Sequence, residues 1–416
     1  MIGRVESATA AKSTAPRWRR SAVSADIRVW KRLGPAVVFA AGLLGDGRAL
    51  PPPTVATTVP VGTLVRFERE SARPLPLIAD ADWMAAWPAW LSSCEVLASA
   101  RDRRRQQAWQ AVCAAALRLA PQRAAQVRDF FAEHMDRYRV VALDPSVDAD
   151  GASIAASKTT AQAPAGKHTT GLMTGYYEPV LEGSRKRDER FVAPVYRTPP
   201  VIPTATRSEL EVSRQLQGQE LIWVSDPIDA YFLEVQGSGR VHLPDGAWVR
   251  LAYAASNGQA YRSIGRWLAD QGQLEAGKVT MQAIRDWAHA HPRRVRELLD
   301  QNPRVVFFRE LPLGDANAGP VGTLGVALTP GVSVAVDPRF LPLGAPLLLS
   351  TIAAAGDKSQ NRIAIAQDTG NAIRGPLRVD WFWGQGPAAG EIAGRQRAHG
   401  SVRLLVPRGV TPETLL

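Results

Sequence analysis

The sequence predicts a mainly β protein with helical additions. From about residue 171 to the C-terminus, short segments that alternate or run apolar are separated by glycine, proline and aspartate turns, as in compact β-barrels. Two amphipathic helices interrupt these segments, at residues 261–299. A Rossmann-type sheet needs a helix between most of its strands, so this pattern disfavours it. The predicted strands are residues 174–180, 191–196, 230–236, 240–243, 248–252, 305–308, 323–327, 332–336, 347–350, 362–367, 377–383 and 401–406.

The 416 residues exceed one ordinary hydrophobic core, so we expect two folded domains. Residues 80–140 have apolar side chains three and four positions apart, including Trp87 and Trp90, which predicts a helical preface. The only cysteines are Cys94 and Cys113, and an even number suits one disulfide in an oxidising compartment. Two buried thiols are the alternative. Without a CxxC pair, a cysteine-based zinc site is excluded.

The N-terminal region has the pattern of an export signal. Basic residues end at Lys31 and Arg32, and an apolar run follows at residues 33–44, which is too short to span a bilayer. No cysteine follows this run, so we do not expect lipid attachment of the bacterial lipoprotein type. Residues 51–60 are rich in proline and threonine and predict a linker, while residues 143–169 predict a mobile loop.

The charge balance favours an acidic polymer as partner. Lysine and arginine number 50 against 39 aspartates and glutamates, which gives a net charge of +11. Nucleic acid and peptidoglycan both fit this charge. The basic runs at residues 17–20 and 101–105 lie outside the aromatic strands, however, unlike the stacking platforms of nucleic-acid-binding proteins. We therefore expect no nucleic-acid partner.

The densest group of reactive side chains lies near the C-terminus. One predicted strand ends at Asp368, and the next carries Asp380 in its middle, so the two carboxyl groups are expected to face one cleft. The two-residue period of a strand puts Arg378 and Phe382 on the same face as Asp380. A carboxyl group beside an aromatic ring and away from water keeps its proton, as a general acid must. The alternative is an aspartate on an exposed strand.

Other segments could contact a ligand. The aromatic faces in residues 174–179 can stack on sugar rings, although core packing of one tyrosine is equally plausible. Residues 236–239, Gln-Gly-Ser-Gly, could present backbone amides but match no phosphate-binding motif, so a simple turn is the alternative. Asp337 precedes a proline, where capping or turn formation is the usual role. His289 and His291 diverge on a helix and predict no metal site.

These segments resemble the lytic murein transglycosylase A (MltA) family, including its C-terminal 3D module, which is named for three aspartates. The resemblance covers roughly residues 171–407. It implies a double-psi β-barrel domain with a second β domain inserted into it and a substrate cleft between the two. The expected division begins with a leader at 1–50, which carries the export signal, and a linker and the start of the fold at 51–79. Domain 1 is discontinuous and comprises residues 80–180 and 312–410, with the 3D module at about 320–407. Domain 2, at 181–311, is inserted into it.

The resemblance also implies roles for individual residues. Asp337, Asp368 and Asp380 are the three name-giving aspartates. Asp380 takes the catalytic position as general acid/base, and Asp368 supports it. The expected substrate-binding residues are Thr174, Tyr177, Gln236, Gly237, Ser238 and Asp337.

The implied reaction cleaves the β-1,4 bond between N-acetylmuramic acid (MurNAc) and N-acetylglucosamine (GlcNAc) without water and leaves a 1,6-anhydro-MurNAc end. One carboxyl group can act first as acid and then as base, so no metal or cofactor is expected. The implied partners are peptidoglycan glycan strands, with cell-wall synthesis or hydrolysis proteins as further candidates. A monomer in the periplasm is expected, and association with the outer membrane is left open.

Two alternatives belong to other functional classes. One is a double-psi-barrel glycoside hydrolase in which Asp368 and Asp380 act together, because most glycosidases use two carboxyl groups. The other is a non-catalytic protein that binds cell-wall carbohydrate. A hydrolase would leave reducing sugar ends, and a binding protein would tolerate the loss of the Asp380 carboxylate.

Overall fold

The computed structural model describes residues 65–71, 74–143, 168–352 and 360–416. The predicted leader, residues 51–64 of the predicted linker and residues 144–167 of the predicted loop lie outside the described residues. The strands are β1 (Val65–Glu70), β2 (Met135–Ala142), β3 (Gly171–Glu178), β4 (Val180–Ser184), β5 (Ala193–Tyr196), β6 (Glu220–Val224), β7 (Ser238–His242), β8 (Trp248–Ser256), β9 (Val306–Pro312), β10 (Ser333–Val336), β11 (Pro346–Ile352), β12 (Gln360–Asp368), β13 (Val379–Gln385) and β14 (Arg397–Pro407).

The helices lie mainly before β2 and between β8 and β9. In the described part of the chain, no helix is long and apolar enough to cross a lipid bilayer. The α-helices are α1 (Asp80–Leu97), α2 (Arg103–Arg118), α3 (Ala124–His134), α4 (Arg207–Ser213), α5 (Pro227–Gln236), α6 (Ile264–Asp270), α7 (Met281–Ala290), α8 (Val295–Asp300) and α9 (Gly386–Arg395), and short 3-10 turns lie at Ala276–Lys278, Pro292–Arg294 and Pro412–Leu415.

The strands form two sheets. The larger has the order β1-β2-β14-β11-β12-β10-β13-β3, and β14 also pairs with β3, so the strands from β14 to β3 close into a ring. Closure removes the free edges that an open sheet would leave at those strands. The smaller sheet has the order β5-β6-β4-β7-β8-β9. The prediction of a mainly β fold with helical additions is confirmed.

The chain leaves the ring after β3 and returns to it after β9. Every strand of the smaller sheet therefore lies between Val180 and Pro312 in sequence. The expected boundaries of an inserted domain, at residues 181 and 311, stay a prediction.

Residues 230–236, predicted as a strand, form the second half of α5 instead. Asp226 caps this helix by accepting a hydrogen bond from the amide of Ile228, and Pro227 occupies its first turn. Gly237 ends it with a φ of 79°, a left-handed conformation that glycine adopts without strain. The apolar run is the buried face of a helix, and a short run of that kind does not distinguish a helix from a strand by periodicity.

Other elements also differ from the sequence predictions. Residues 323–327 form only one bridge, between Val321 and Ala327, and no strand. Strand β2 begins inside the region predicted as helical, residues 80–140, because the chain turns directly from α3 into the sheet. Strands β1 and β6, all of β4 after Val180, and helices α4 and α9 were also not predicted.

Helices α1 and α2 pack on the ring and extend its core with tryptophan side chains. Trp83, Trp90 and Trp109 have no exposed surface. The fully buried Gln367 at the end of β12 donates hydrogen bonds from Nε2 to the Ala89 carbonyl oxygen (2.8 Å) and the Ser93 hydroxyl oxygen (2.9 Å). This buried amide therefore ties α1 to the strand end that carries Asp368.

Cys94 on α1 and Cys113 on α2 form a disulfide, with their Cα atoms 5.1 Å apart. A bond that closes a loop of this length restricts the unfolded chain. We expect reduction of the purified protein to lower its free energy of unfolding by about 3 kcal/mol, measured by urea denaturation with and without reductant. A Cys94→Ala/Cys113→Ala double variant is the control, and its stability should not respond to reductant. Equal stability of the oxidised and reduced wild type would contradict the expectation.

A buried ionic cluster joins the two sheets. The carboxylate of Glu178, at the end of β3, has no exposed surface and accepts a hydrogen bond from Arg240 Nε on β7 (2.7 Å). Arg250 Nε on β8 lies 2.8 Å from the other Glu178 oxygen. The same arginines donate to the carbonyl oxygens of Ala316 and Ala318 in the segment that follows β9. The end of β3, the strands β7 and β8, and the segment after β9 are thus joined through Glu178 and its two arginine partners.

Glu178→Gln removes the negative charge from this cluster and leaves two arginines buried without their counter-ion. We expect the free energy of unfolding to fall by about 3 kcal/mol, because a buried charge without a partner is strongly destabilising. Glu182→Gln, on the neighbouring strand, is the matched control, because the Glu182 side chain is half exposed and pairs with the partly exposed His242. Urea denaturation of both variants provides the measurement, and an equal effect of the two changes would contradict the expectation.

Candidate active site

Parallel pairing of β3 with β13 assembles the centre of the site. Thr174 lies directly opposite Asp380 in this register, and Ala335 of β10 lies opposite Asp380 on the other side. The Thr174 hydroxyl donates a hydrogen bond to Asp380 Oδ1. It also accepts one from Arg378 Nη2 at 2.8 Å. The hydroxyl is therefore held between a guanidinium and the carboxylate.

Alternation along β13 separates the site from the core. Val379 and Trp381 are buried in the core of the ring, whereas Asp380 between them is only partly buried on the opposite face. Phe382, on the Asp380 face, packs against the ring of Tyr176, with centroids 5.4 Å apart. The predicted two-residue period of this strand is present in the structure.

Asp368 lies close to Asp380, since the β10 residue Ala335 pairs with both of them. The Tyr176 hydroxyl donates to Asp368 Oδ2 at 2.8 Å. The amide and the hydroxyl of Thr323 both donate to Oδ1, each at 2.9 Å. Three donors thus hold the Asp368 carboxylate in one orientation.

Burial raises the pKa of Asp380 above its ordinary value, and the negative charge of Asp368 acts in the same direction. The Arg378 guanidinium and the hydrogen bond from Thr174 oppose this rise without cancelling it. Burial, together with the neighbouring Asp368, also raises the pKa of the Tyr176 hydroxyl well above its usual range. The site therefore places the Asp380 carboxyl group, whose pKa is raised, beside the Tyr176 phenol, which donates to Asp368.

Comparison with known proteins gives matches over most of the folded region. The profile of the MltA specific insert domain matches residues 172–205 and 200–309, and that of the 3D domain matches residues 332–406. The chain is 41% identical to the solved structure of the lytic transglycosylase LtgG of Burkholderia pseudomallei, with a TM-score of 0.54, covering 84% of this chain and 98% of that one. The chain belongs to the MltA family.

Two other members of the MltA family are informative. The membrane-bound lytic murein transglycosylase A of Vibrio cholerae is 39% identical over 241 residues, which cover 56% of this chain and 64% of that protein. The structure of Escherichia coli MltA with bound chitohexaose is 26% identical, with a TM-score of 0.62, and the match covers 82% of this chain and 94% of that one.

Tyr177 does not present its ring on the face that carries Asp380. Its ring is buried under α9, so close that a Cβ atom added at Gly390 would lie 2.9 Å from it, and its hydroxyl contacts Met281 Sδ at 3.8 Å. Burial raises the pKa of this hydroxyl. Tyr176, which was not among the expected site residues, contacts Asp368 and Phe382 on the face that carries Asp380, and substrate binding by Tyr177 stays a prediction. The two-residue period from Thr174 could have indicated this in the sequence, since residues 174 and 176 share one face of a strand.

Gln236 is held against the strand that carries Thr174. Its Oε1 atom accepts a hydrogen bond from the backbone amide of Tyr177 at 3.0 Å. Gly237 ends α5, and its carbonyl oxygen accepts from the amide of Tyr253 at 2.8 Å, while Ser238 begins β7. The Gln-Gly-Ser-Gly segment therefore lies at the end of a helix, whereas the sequence predicted that it follows a strand. The Gln236 side chain connects this segment to β3 of the larger sheet.

Asp337 is not placed for contact with a ligand. Its side chain has no exposed surface. It accepts hydrogen bonds from Arg339 Nε at 2.9 Å and from the backbone amide of Gly375 at 2.8 Å. The structure thus gives Asp337 a role in holding the loop between β12 and β13, instead of the expected substrate contact. Turn formation was the role indicated by the residues alone.

The sequence did not indicate Thr323, because its segment was expected to form a strand and its contact with Asp368 spans 45 positions.

Among the described residues, no cluster of three or more histidine, cysteine, aspartate and glutamate side chains could hold a metal ion. The hydroxyl and carboxyl groups around Asp380 can donate and accept protons, which suits general acid/base chemistry.

The raised pKa of Asp380 has a consequence for stability. In the unfolded chain an aspartate ionises near pH 3.9, so folding becomes less favourable as the pH rises from there through the higher pKa of the folded state. The asparagine of Asp380→Asn cannot ionise, so this fall in stability with rising pH does not occur in the variant. We expect the variant to unfold at a higher temperature than wild type at pH 7 and at the same temperature at pH 3.5.

Thermal unfolding followed by circular dichroism at both pH values measures this difference. Asp245→Asn, an exposed turn residue between β7 and β8, is the control and should show no such change with pH. A wild type more stable than Asp380→Asn at pH 7 would show that ionised Asp380 is stabilised by its surroundings.

Proposed function

We propose that the protein is a peptidoglycan lytic transglycosylase. It cleaves the β-1,4 bond between MurNAc and GlcNAc and leaves a 1,6-anhydro-MurNAc end in cell-wall turnover. The observation that carries this proposal is the partly buried Asp380 carboxyl group, whose raised pKa suits a proton donor, in a chain of the MltA family. The alignment covers 64% of the curated Vibrio relative, so the activity, substrate and partners of this chain remain proposals.

In the proposed mechanism, Asp380 acts as acid and then as base. It donates its proton to the glycosidic oxygen as the bond from C1 of MurNAc to that oxygen breaks. The Asp380 carboxylate then takes the proton from the C6 hydroxyl of the same MurNAc, whose oxygen bonds to C1. The net reaction consumes no water and returns Asp380 to its protonated form.

The neighbours of Asp380 support both steps. The Thr174 hydroxyl and Arg378 stabilise the carboxylate that remains after proton donation, because both interact more favourably with the charged form. Burial raises the pKa of Asp380, and the negative charge of Asp368 adds to this rise, which favours a proton on Asp380 at the start. The same charge favours the positive charge that develops at C1 in the transition state. Asp368 is thus the supporting carboxylate.

The glycan is proposed to bind between the ring and the smaller sheet. Thr174 lies on the ring side, while Gln236, Gly237 and Ser238 approach the same strand from the other side, as the hydrogen bond from Tyr177 to Gln236 indicates. The E. coli relative solved with chitohexaose, an oligosaccharide, supports a glycan strand as ligand. We propose that the ring is a double-psi barrel and that residues 181–311 are the domain inserted into it.

The proposed location is the periplasm. The curated relatives carry the name membrane-bound, which supports association with a membrane, and we propose the outer membrane. The disulfide between Cys94 and Cys113 fits an oxidising compartment of this kind.

A glycoside hydrolase is the second candidate, favoured by the position of Asp368 and Asp380 on either side of Ala335. In that reaction one carboxyl group protonates the leaving oxygen and the other acts as nucleophile or activates water. The three hydrogen bonds that Asp368 already accepts argue against this second duty.

Mass spectrometry of muropeptides released from purified sacculi tests the proposal. We expect anhydro-muropeptides from the wild type and at least 100-fold less from Asp380→Asn, because loss of a general acid typically costs ~10²–10⁴ in rate. Asp245→Asn should retain wild-type activity. Products heavier by one water, with reducing ends, would identify a hydrolase. Binding to sacculi without any product would identify a carbohydrate-binding protein.

A further inference from the structure

Two half-buried arginines, Arg304 and Arg374, come from opposite sides of the proposed cleft. Arg374 belongs to the loop between β12 and β13, which follows Asp368 on the ring side. Arg304 lies just before β9 of the smaller sheet and interacts with Tyr253 of β8. The amide of Tyr253 donates to the carbonyl oxygen of Gly237, one of the expected substrate-binding residues, at 2.8 Å. The two arginines thus belong to the two walls between which the glycan is proposed to lie.

Their positive charges are close enough to oppose one another. Burial lowers the pKa of Arg304, and the charge of Arg374 acts in the same direction. Burial also lowers the pKa of Arg374, where the carboxylate of Asp337 opposes the effect and Arg339 adds to it. Like charges that are held together away from water cost free energy, and an anion placed between them would remove that cost.

The carboxylates whose charge reaches these arginines are already bound by other groups. Asp337 accepts hydrogen bonds from Arg339 Nε at 2.9 Å and from the amide of Gly375 at 2.8 Å. Glu234 at the end of α5 is held by both terminal nitrogens of Arg207, at 3.0 and 2.8 Å. These acids therefore serve other arginines and do not neutralise the pair across the cleft.

The guanidinium groups of the pair have few hydrogen-bond partners of their own. Arg304 Nη1 donates to the carbonyl oxygen of Gln259 at 2.9 Å, and Arg374 Nη2 reaches the side-chain oxygen of Asn371 only at 3.5 Å. Within the described ranges of the chain, neither arginine forms an ion pair with a carboxylate. A guanidinium has five N–H donors in a planar fork that matches the two oxygens of a carboxylate. Donors thus remain for an anionic ligand.

We propose that Arg304 and Arg374 form a subsite for a carboxylate carried by the muramyl units of the glycan, so that charged wall strands bind more tightly than neutral ones. This inference rests on the proposed function, since it concerns the same cleft. MurNAc differs from GlcNAc by a lactyl group, whose carboxylate is free in peptide-free strands and is joined to the stem peptide in intact wall. The stem peptide has carboxylates of its own. Both sources present the same chemical group to the arginines.

Binding of three hexasaccharides tests the subsite. They are chitohexaose, which is neutral, a GlcNAc–MurNAc strand without peptides, and the same strand with stem peptides. Isothermal titration calorimetry is performed in the full chain with Asp380→Asn, so that no ligand is cleaved. The added change Arg304→Gln/Arg374→Gln should weaken binding of a charged strand about tenfold, because charge-assisted hydrogen bonds are lost. Affinity for chitohexaose should change by less than about twofold.

The two charged ligands identify the source of the carboxylate. A loss on the peptide-free strand assigns the subsite to the lactyl group. A loss confined to the strand with peptides assigns it to the stem peptide. In either case high salt should reduce the difference between parent and variant, because it screens charges that water can reach.

Two control variants separate local charge from packing and from net charge. Arg304→Lys/Arg374→Lys keeps both positive charges and should retain a preference for the charged strands. Arg118→Gln/Arg266→Gln removes two exposed charges elsewhere and should leave all three affinities unchanged. Arg118 lies in the last turn of α2, and Arg266 on α6 is near only Asp270 of its own helix.

The outcomes separate this inference from the proposed function. Unchanged binding of all three ligands by Arg304→Gln/Arg374→Gln overturns it, and so does equal weakening of all three, which would make the arginines structural. Reducing ends released from sacculi by the wild type would overturn the transglycosylase proposal and leave the carboxylate subsite in place. Failure of the parent protein to bind any of the three glycans would overturn both.

Discussion

The parallel pairing of β3 with β13 is the constraint on which the site depends. It places Thr174 opposite Asp380 although the two are 206 positions apart in the chain. Strand register decides this contact completely, because a shift by one residue would turn every side chain of β13 to the other face. Such a shift would expose Trp381 and bury Asp380 in the core of the ring. The burial of Trp381 and the position of Asp380 are therefore two results of one register.

Closure of the ring gives the site its electrostatic character. Strand β10 runs parallel to β12 and antiparallel to β13, which brings the two aspartates to either side of Ala335. Burial raises the pKa of Asp380, and the negative charge of Asp368 beside it acts in the same direction. The hydrogen bonds from Thr323 and Tyr176 hold the Asp368 carboxylate in one orientation next to Asp380.

The smaller sheet reaches the site through one buried carboxylate. Glu178 ends the strand that carries Thr174, and its two arginine partners come from β7 and β8. Through Arg240 the same cluster also anchors the segment that carries Thr323. The orientation of Asp368 is thus linked by direct contacts to the junction between the two sheets.

Local patterns in the sequence indicated a large part of this arrangement. The two-residue period around Asp380 correctly placed Arg378 on its side and Trp381 in the core. Glycine, proline and aspartate turns correctly separated most of the strands after position 171. The same pattern did not separate helix from strand at residues 230–236, where a buried helical face and a buried strand have the same composition. The role of Tyr177 as a substrate-binding residue came from the family resemblance and stays a prediction.

By itself, the sequence determined which side chains share a strand face and which aspartates lie near one another, because alternation and short loops act over a few residues. The tertiary structure alone decided that Thr174 bonds Asp380 and that Thr323 bonds Asp368. It also decided that Asp337 is buried against Arg339 and Gly375. These contacts depend on the register of strands and on the path of a segment between them, which hydrophobic packing of the whole ring determines. No local periodicity carries that information.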